Sequence, residues 1–458
     1  MKTVFFCTGA RNQDLLGIFS DSKVLFEYDE RMASFKALGL SKISGSAAIV
    51  CTTSGTAVAE CVPAMLEAYY SNTPFILVTG DRPKKMHGSG APQTIHHEGL
   101  TTTCRRTYLE MSLEDFRAFK YENLEYPVHI NVLVDDSLPH EKKTIFHTDL
   151  SSFKDFADAV KRPLILVSHE EASMKPFIEK LQGQLFFAET MSGGRELSTL
   201  SNEKEILKLF KEKKFDSVIR IGHTPLSKVW RLLEMQHLPT YSFDSRGLSG
   251  LSYGEVLKMS SQELLDKKLF WEILEKFKTS QEKSHDVSDF LNKYPSSEMT
   301  LMRNLQDQLP KDSLIYLGNS LIVRFFELVQ EKSFNIMGSR GVNGIDGQIA
   351  TAVGIAMGSQ DNLTCILGDI TTFYDLSSLR EMPSNMRLVI MNNGGGRIFD
   401  MLKLDKRIVM EHENSFENIV KGFGLSYSQD LNDLNKVQVL ELRPRHAETM
   451  SFLKEWNS

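Results

Sequence analysis

The chain of 458 residues has few cysteines, no long apolar run and no excess of positive charge. Its five cysteines are an odd number without a Cys-X-X-Cys pair, so we expect neither a disulfide framework nor structural zinc, and a reducing cytoplasm is the simplest location. No apolar stretch reaches the roughly 18 residues of a membrane span, and the first residues have the pattern of a short strand, so we expect no span and no signal peptide. A net charge of -6 without a basic run argues against nucleic acid as a partner.

Short apolar segments alternate with helical stretches along most of the chain. Strands are predicted at 4–7, 47–51, 75–78, 129–134, 164–167 and 218–221, with a further one within 181–189 and a helix at 57–70. This alternation predicts an α/β fold in which helices cover parallel sheets. From the length, the polar stretch 136–149 and the charged helical region 261–293, we expect three domains at 1–140, 150–290 and 296–458, of which the middle one is short.

Polar residues follow two apolar strands of the third domain. Gly368-Asp369-Ile370 comes directly after the strand at 364–367, and Asn392-Asn393-Gly394-Gly395 comes directly after the strand at 388–391. Magnesium takes oxygen ligands from one or two side chains, carbonyls, water and phosphates. We therefore predict that Asp369, the Asn393 amide oxygen and the Gly395 carbonyl bind Mg²⁺, or Mn²⁺, against a diphosphate. Ordinary βα turns would give the same residues if this pair stood alone.

A glycine-rich loop at 339–347 precedes the small-residue helix predicted at 348–356. Glycines on both sides of Ile345-Asp346 predict a tight loop that pushes one apolar side chain outward. The helix that starts behind the loop offers its N-terminus to an anion. This gives a third strand end with the properties of a diphosphate site.

Six motifs of the chain together resemble those of the thiamine-diphosphate (ThDP) enzymes, and most closely those of the 2-succinyl-5-enolpyruvyl-6-hydroxy-3-cyclohexene-1-carboxylate (SEPHCHC) synthase family. They are TSGTAVA at 53–59, TGDRP at 79–83, GNS at 318–320 with Arg324, SRGVNGIDG at 339–347, GD at 368–369 with YDL at 374–376, and NNGGGRIF at 392–399. The resemblance runs from about residue 4 to residue 430. It implies three doubly wound parallel-sheet domains, which in order are pyrimidine-binding, central and diphosphate-binding.

The resemblance also implies how ThDP is held. Glu30 matches the carboxylate that accepts a hydrogen bond from the aminopyrimidine and favours its imino tautomer. Ile345 matches the side chain that holds the cofactor bent. The other implied cofactor-binding residues are Thr53, Ser54, Gly55, Gly368, Asp369, Ile370 and Asn393. Because Glu30 and the metal motif lie in different domains, the resemblance implies a homodimer or a dimer of dimers with the cofactor at the subunit interface.

For the substrates, the resemblance implies 2-oxoglutarate and isochorismate, both dicarboxylates. The family decarboxylates the first and adds the resulting succinyl carbanion equivalent to the second in menaquinone biosynthesis. The cations that match carboxylate-binding positions are Arg11, Arg82, Lys228, Arg324 and Arg340. The other implied substrate-binding residues are Gln93, Ser320, Ile398 and Phe399, and the implied catalytic residues are Glu30, Gln93 and Arg340.

Some positions depart from the family pattern and leave two alternatives open. His96-His97 stands where the family more often has Asp-Gln, and Ala10 and Ser339 also differ. Adjacent histidines are typical of simple ThDP-dependent 2-oxoacid decarboxylases, which use the pair for proton transfer, so such an enzyme is one alternative. The other is a catalytically inactive ThDP-fold binding module. The presence of Glu30, Asp369 and Asn393 together argues against the module, which has no need for all three.

Overall fold

The computed structural model describes residues 2–9, 12–81, 84, 95–134, 149–170, 173–200, 202–223, 225, 229–236, 238–247, 254–279, 287–402 and 406–456. Within these ranges, seventeen strands form three sheets, and every pair of strands with a given register is parallel. The predicted α/β fold with three parallel sheets is confirmed. No described helix is long and apolar enough to cross a membrane.

The first sheet has six strands in the order β2-β1-β3-β4-β6-β5. Its strands are β1 Thr3–Cys7, β2 Lys23–Glu27, β3 Ala48–Thr52, β4 Phe75–Asp81, β5 Thr107–Ser112 and β6 Val128–Leu133. Its helices are α1 Gln13–Leu16, α2 Glu30–Ser44, α3 Thr56–Ser71, α4 His97–Thr101 and α5 Leu113–Ala118. Strands β1, β3, β4 and β6 are almost entirely buried, as continuous apolar runs in a parallel sheet should be.

The central sheet has five strands in the order β11-β10-β9-β7-β8. They are β7 Pro163–Val167, β8 Phe186–Ala188, β9 Ser217–Ile221, β10 Thr240–Phe243 and β11 Glu255–Leu257. The helices are α6 Ser151–Ala159, α7 Lys175–Glu179, α8 Glu203–Lys211, α9 Val229–Gln236, α10 Ser261–Leu265, α11 Lys268–Leu274 and α12 Ser288–Lys293. Its core is aromatic: the Phe153 ring lies 4.8 Å from that of Phe243 and 5.4 Å from that of Phe270.

The third sheet has six strands in the order β13-β12-β14-β15-β17-β16. They are β12 Leu314–Leu317, β13 Asn335–Met337, β14 Leu363–Gly368, β15 Met386–Met391, β16 Tyr427–Ser428 and β17 Val439–Leu442. The helices are α13 Glu298–Gln308, α14 Leu321–Val329, α15 Gln348–Gly358, α16 Asp369–Tyr374, α17 Glu417–Gly422 and α18 His446–Trp456, with a 3₁₀ helix at Arg397–Leu402.

By its backbone contacts the chain divides into two compact units. One consists of Met1–Lys143, Ser339–Ile390 and Glu413–Glu441, and the other of Thr144–Gly338, Met391–His412 and Leu442–Ser458. All strands of the first sheet lie within 1–140, those of the central sheet within 150–290 and those of the third within 296–458. The domain limits themselves stay a prediction.

The strand predicted within 181–189 is only three residues long, and the helical region predicted at 261–293 consists of short helices. The start and end of α10 follow from its local sequence. Ser260 and Glu263 form a capping box that starts α10, and Asp266 ends it after a single turn and a half. Most of the polar stretch 136–149 lies outside the described residues.

Candidate active site

Glu30 is the first residue of α2, and its position follows from a helix cap. Asp29 is the N-cap, and its Oδ1 accepts the backbone N–H of Met32 at 2.8 Å. The Glu30 side chain is half-buried in the first turn, where the helix dipole favours a carboxylate. A buried helix therefore presents the predicted catalytic carboxylate from a fixed backbone.

Helices α2 and α15 pack closely because glycines of each helix lie directly against the backbone of the other helix. A Cβ on Gly39 would lie 1.9 Å from the Thr351 carbonyl oxygen, and a Cβ on Gly354 would lie 2.0 Å from that of Lys36. At the start of α15, a Cβ on Gly347, whose φ is +62°, would meet the Phe35 ring at 2.1 Å. Gly347 at the start of α15 meets Phe35 near the start of α2, whereas Gly358 at the end of α15 meets Leu40 and Ile43 near the end of α2. Both helices therefore begin at the same end of the contact.

This packing places two predicted cofactor residues, Glu30 and Ile345, at the same end of the helix pair. Glu30 begins α2, and Ile345 lies two residues before the N-cap of α15, Gly347. Both helices belong to one compact unit of a single chain. The half-buried Ile345 side chain agrees with an apolar side chain pushed out of the core.

Asp375 connects the beginnings of these two helices. Its Oδ2 accepts the N–H of Ala350 in α15 at 2.9 Å, and its Oδ1 lies 3.3 Å from Nη2 of Arg31, the neighbour of Glu30. Burial raises the pKa of Asp375, and the hydrogen bond from Ala350 and the charge of Arg31 oppose that rise. The carboxylate thus holds the first turn of α15 against the residue that follows Glu30.

The glycine-rich loop 339–347 is held by an acid of α3. Glu67 accepts the N–H groups of Gly341 and Val342 at 3.0 and 2.9 Å, and Nζ of Lys42 lies 3.6 Å from the same carboxylate. A Cβ on Gly341 would lie 2.6 Å from the Glu67 carbonyl oxygen. Only glycine at this position therefore lets the loop backbone approach α3 this closely. Two buried charges therefore fix the loop that carries Ile345.

The turn Thr53-Ser54-Gly55 follows β3 and is buried. Gly55 has a φ of +88° and is the N-cap of α3. A Cβ on Gly9 would lie 2.6 Å from the Thr53 Cβ, so the end of β1 touches the turn closely. The Gly55 N–H donates to Nε2 of His97 at 3.4 Å.

His97 takes part in a buried polar network of the first sheet. Its Nδ1 lies 2.8 Å from Oδ1 of Asn131 and 3.4 Å from Oδ2 of Asp81, and the Asn131 Nδ2 donates to Asp81 at 3.0 Å. With Nε2 accepting from Gly55, the proton belongs on Nδ1. His96, in contrast, is exposed.

This arrangement bears on the decarboxylase alternative. The two ring nitrogens of His97 face Gly55 on one side and Asn131 and Asp81 on the other, so this ring supports the Gly55 turn. Engagement of this ring within the first sheet argues against the proton-transfer role on which the alternative depends.

Two predicted substrate residues, Ser320 and Arg324, lie at the start of α14. Ser320 is the N-cap and has a φ of +68°, a positive value that is uncommon for a residue with a side chain. Nη1 of Arg324 donates to the Ser320 carbonyl oxygen, and the Arg324 side chain is half-buried. The guanidinium is therefore directed back toward the beginning of its own helix.

The segment after β15 is shaped by glycines and an arginine. A Cβ on Gly395, whose φ is +137°, would lie 2.7 Å from the Val409 carbonyl oxygen. Nε of Arg397 donates to the Asn393 carbonyl oxygen at 3.2 Å. The predicted substrate residues Ile398 and Phe399 follow in the 3₁₀ helix and are half-buried.

Asn393 meets the requirement for an oxygen ligand to a cation. Its Nδ2 donates to Oε2 of Glu298 at 3.2 Å, whereas its Oδ1 is buried and has no hydrogen-bond partner among the described residues. A buried amide oxygen normally has a partner, so a missing one points to a group that binds there. The Asn393 amide oxygen thus fits a ligand of the Mg²⁺ or Mn²⁺ expected from the sequence.

Asp369 begins α16 directly after β14, of which Gly368 is the last residue. The Asp369 side chain is buried, and its Oδ1 accepts the N–H of the adjacent Ile370 at 2.7 Å. These three predicted residues therefore lie at one strand end. Arg340 is half-buried in the glycine-rich loop.

Four predicted substrate residues, Arg11, Arg82, Gln93 and Lys228, lie outside the described residues, as does Ala10. Sequence reasoning assigned no role to Glu67, Glu298 or His97 as supports of the site. Each is a charged or polar side chain whose burial depends on a segment distant in the sequence, so no local pattern marks it. Asp375 was part of a family motif, but its two partners were not predicted.

Residues 1–100 match the family model described as thiamine pyrophosphate enzyme, N-terminal TPP binding domain. The chain is 33% identical to the SEPHCHC synthase of Bdellovibrio bacteriovorus, over 100% of this chain and 96% of that protein. The chain belongs to the SEPHCHC synthase family. It is also 28% identical to the family member of Akkermansia muciniphila, over 97% of this chain and 93% of that protein.

Among solved structures, the benzoylformate decarboxylase of Polynucleobacter necessarius superposes with a TM-score of 0.71, covering 97% of this chain and 96% of the other. Its sequence is only 16% identical, so this similarity concerns the fold alone. Three predictions are confirmed: the family of the chain, its classification as a ThDP-dependent enzyme, and its fold. The roles of the individual site residues stay predictions.

Proposed function

We propose that this chain catalyses the ThDP-dependent decarboxylation of 2-oxoglutarate and the 1,4-addition of the resulting succinyl unit to isochorismate, giving SEPHCHC in menaquinone biosynthesis. The observation that carries the proposal is the match to a SEPHCHC synthase along the whole chain. The buried, fully engaged His97 further favours it over a simple decarboxylase.

For the cofactor, we assign the binding of the pyrimidine to Glu30 and of the rest of ThDP to the residues named above at the ends of β3, β14 and β15. When bound, ThDP supplies the electron sink for decarboxylation. Glu30 accepts a hydrogen bond from the pyrimidine ring, and the α2 cap keeps its carboxylate in place. Ile345 supplies an apolar support, held by the loop that Glu67 fixes.

For the metal, we assign Mg²⁺ or Mn²⁺ to Asp369, the Asn393 amide oxygen and the Gly395 carbonyl. Asp369 follows strand β14 directly, Asn393 and Gly395 follow strand β15, and both turns resemble the metal motif of the family. The Asn393 Oδ1 that lacks a described partner supports this assignment.

For the substrates, we assign carboxylate binding to Arg11, Arg82, Lys228, Arg324 and Arg340. Guanidinium groups bind carboxylates with two parallel hydrogen bonds, which suits two dicarboxylic substrates. Gln93 and Ser320 supply polar contacts, and Ile398 and Phe399 an apolar wall for the isochorismate ring.

We further propose a homodimer or a dimer of dimers with the cofactor at the subunit interface. Family resemblance supports this arrangement, whereas the α2–α15 contact described above is formed within one chain. Co-expression of Glu30→Gln and Asp369→Ala chains separates the two cases. Mixed assemblies regain activity if a site takes Glu30 and Asp369 from different chains, and stay inactive if one chain supplies both.

The function itself is tested by product analysis. The protein is incubated with ThDP, Mg²⁺ and 2-oxoglutarate, with and without isochorismate, and the products are identified by mass spectrometry. An adduct formed only with isochorismate supports the proposal. Succinic semialdehyde in both reactions supports a decarboxylase instead, and no turnover supports a binding module.

Substrate selectivity gives a second test. A charge-assisted hydrogen bond is worth about 1.5–3 kcal/mol, so 2-oxoglutarate should be preferred over pyruvate by at least about tenfold in kcat/KM. Arg324→Ala or Arg340→Ala should narrow that preference or weaken the use of isochorismate, depending on which substrate each residue binds. Equal use of pyruvate and 2-oxoglutarate by the wild type would contradict the dicarboxylate assignment.

A further inference from the structure

Glu298 is a buried acid outside the family motifs described above. It is the first residue of α13, whose N-cap Ser297 accepts the Thr300 N–H at 3.2 Å. The Glu298 N–H donates to Oγ1 of Thr449 at 3.0 Å, and only 1% of the residue is exposed. Its backbone is therefore fixed from two sides, and the helix N-terminus favours its negative charge.

The Glu298 carboxylate faces the amide of Asn393. Nδ2 of Asn393 donates to Oε2 of Glu298 at 3.2 Å. An ionised carboxylate only accepts hydrogen bonds, so it selects the NH₂ side of the amide and turns the oxygen the opposite way. That oxygen is the buried Oδ1 without a described partner.

We propose that Glu298 is a positioning residue that orients the Asn393 amide so that its oxygen, and not its nitrogen, is presented to the divalent cation. The inference rests on the proposed metal site. Because an amide nitrogen carries two hydrogens and no available lone pair, a flipped Asn393 offers the cation no ligand. Loss of a residue that orients a metal ligand weakens metal binding by about 10–100-fold.

The same contact explains why an amide and not a carboxylate stands at position 393. Asn393→Asp would bring two carboxylates within hydrogen-bond distance of each other, and the like charges would repel. Combined with Glu298→Gln, the same substitution reverses the polarity of the pair, because the new amide donates to the new carboxylate. The ligand oxygen then again points away from position 298.

The test is the affinity for Mn²⁺ in the presence of saturating ThDP, measured on the full-length protein from the electron paramagnetic resonance signal of free Mn²⁺. We expect Glu298→Ala to raise the Mn²⁺ Kd by about 10–100-fold and the isosteric Glu298→Gln to raise it less, since its amide oxygen still accepts a hydrogen bond. Asn393→Asp should bind Mn²⁺ more weakly than the double variant Glu298→Gln/Asn393→Asp.

Thr449→Ala is the matched control, because it removes a partner of the Glu298 backbone without touching Asn393. Its Mn²⁺ Kd should stay within about twofold of the wild type. A wild-type Kd in Glu298→Ala and Glu298→Gln, together with a raised Kd in Asn393→Ala, would overturn the role of Glu298 alone. A wild-type Kd in Asn393→Ala would instead overturn the proposed metal site.

Discussion

The central and third sheets share a parallel architecture but differ at their strand ends. After β10, both carboxylate oxygens of Asp244 are engaged: Oδ1 accepts the Arg246 backbone N–H at 2.7 Å and Oδ2 lies 2.9 Å from Arg246 Nη2. Arg220 adds a second guanidinium at 3.8 Å. After β15, Asn393 has a partner for its nitrogen and none described for its oxygen.

A second strand end of the central sheet repeats the contrast. Glu170, which follows β7, accepts the backbone N–H and the hydroxyl of Ser261, the first residue of α10. At these two ends the carboxylate oxygens are engaged by neighbouring donors of the protein. An open α/β sheet therefore offers an edge for ligands, but whether a strand end binds one depends on the polar groups that remain available there.

The largest effect is expected at the third sheet. Asp369→Ala should abolish Mg²⁺-dependent ThDP binding. The cation that neutralises the diphosphate would then lack its anionic protein ligand. Calorimetric titration with ThDP and Mg²⁺ measures this. An unchanged ThDP affinity would remove the metal assignment and, with it, the contrast between the sheets.

The corresponding change in the central sheet should affect stability and not binding. Asp244→Asn removes a buried carboxylate that faces the guanidinium groups of Arg220 and Arg246, and should lower the stability by about 3–5 kcal/mol. Denaturant unfolding gives the stability, and the same titration gives the ThDP affinity. A weakened ThDP affinity in the folded variant would show that this strand end also serves the cofactor.

In the first sheet we expect an effect on chemistry with little effect on binding. Glu30→Gln keeps the shape of the side chain but not its charge, and should slow exchange of the ThDP C2 proton by roughly 10²-fold. NMR in D₂O follows the exchange. Asp29→Asn, which keeps a capping oxygen at the start of α2, is the control and should exchange like the wild type. Wild-type exchange in both variants would make Glu30 a structural residue.

The smallest effect concerns the pH dependence of stability in the central sheet. Burial raises the pKa of Glu170 to about 7 from its usual value near 4.5, opposed by the Ser261 hydrogen bonds. The folded state then holds a proton that the unfolded state loses, so stability should fall as pH rises from about 4.5 to about 7.

Glu170→Gln should remove that dependence. The stability of the wild type relative to the variant should decrease by about 2–3 kcal/mol between pH 4.5 and pH 7. Denaturant unfolding at both pH values measures it. A relative stability that increases with pH would mean that Glu170 is ionised in the folded protein throughout this range.

Local sequence patterns predicted a large part of the fold. Apolar runs such as 75–78 and 364–367 became buried strands because a parallel sheet covered on both faces selects continuous apolar segments. Strand β2 was not predicted: it lies at the edge of the sheet, and its apolar run, 24–26, is only three residues long between charged residues. The division of 261–293 into short helices was not predicted, because single capping residues start and end each helix and do not change the helical pattern of the region.

The sequence by itself determined the family, the chemistry of the cofactor motifs and the placement of Asp369, Asn393 and Glu30 at the ends or beginnings of regular elements. These properties depend on residue type and on spacing over a few positions. Only the tertiary structure decided which groups support them. Glu298 lies 95 positions from Asn393, and Glu67 lies 274 positions from Gly341. Such partners meet because tertiary packing brings distant segments together. No short-range sequence pattern indicates which segments will be in contact.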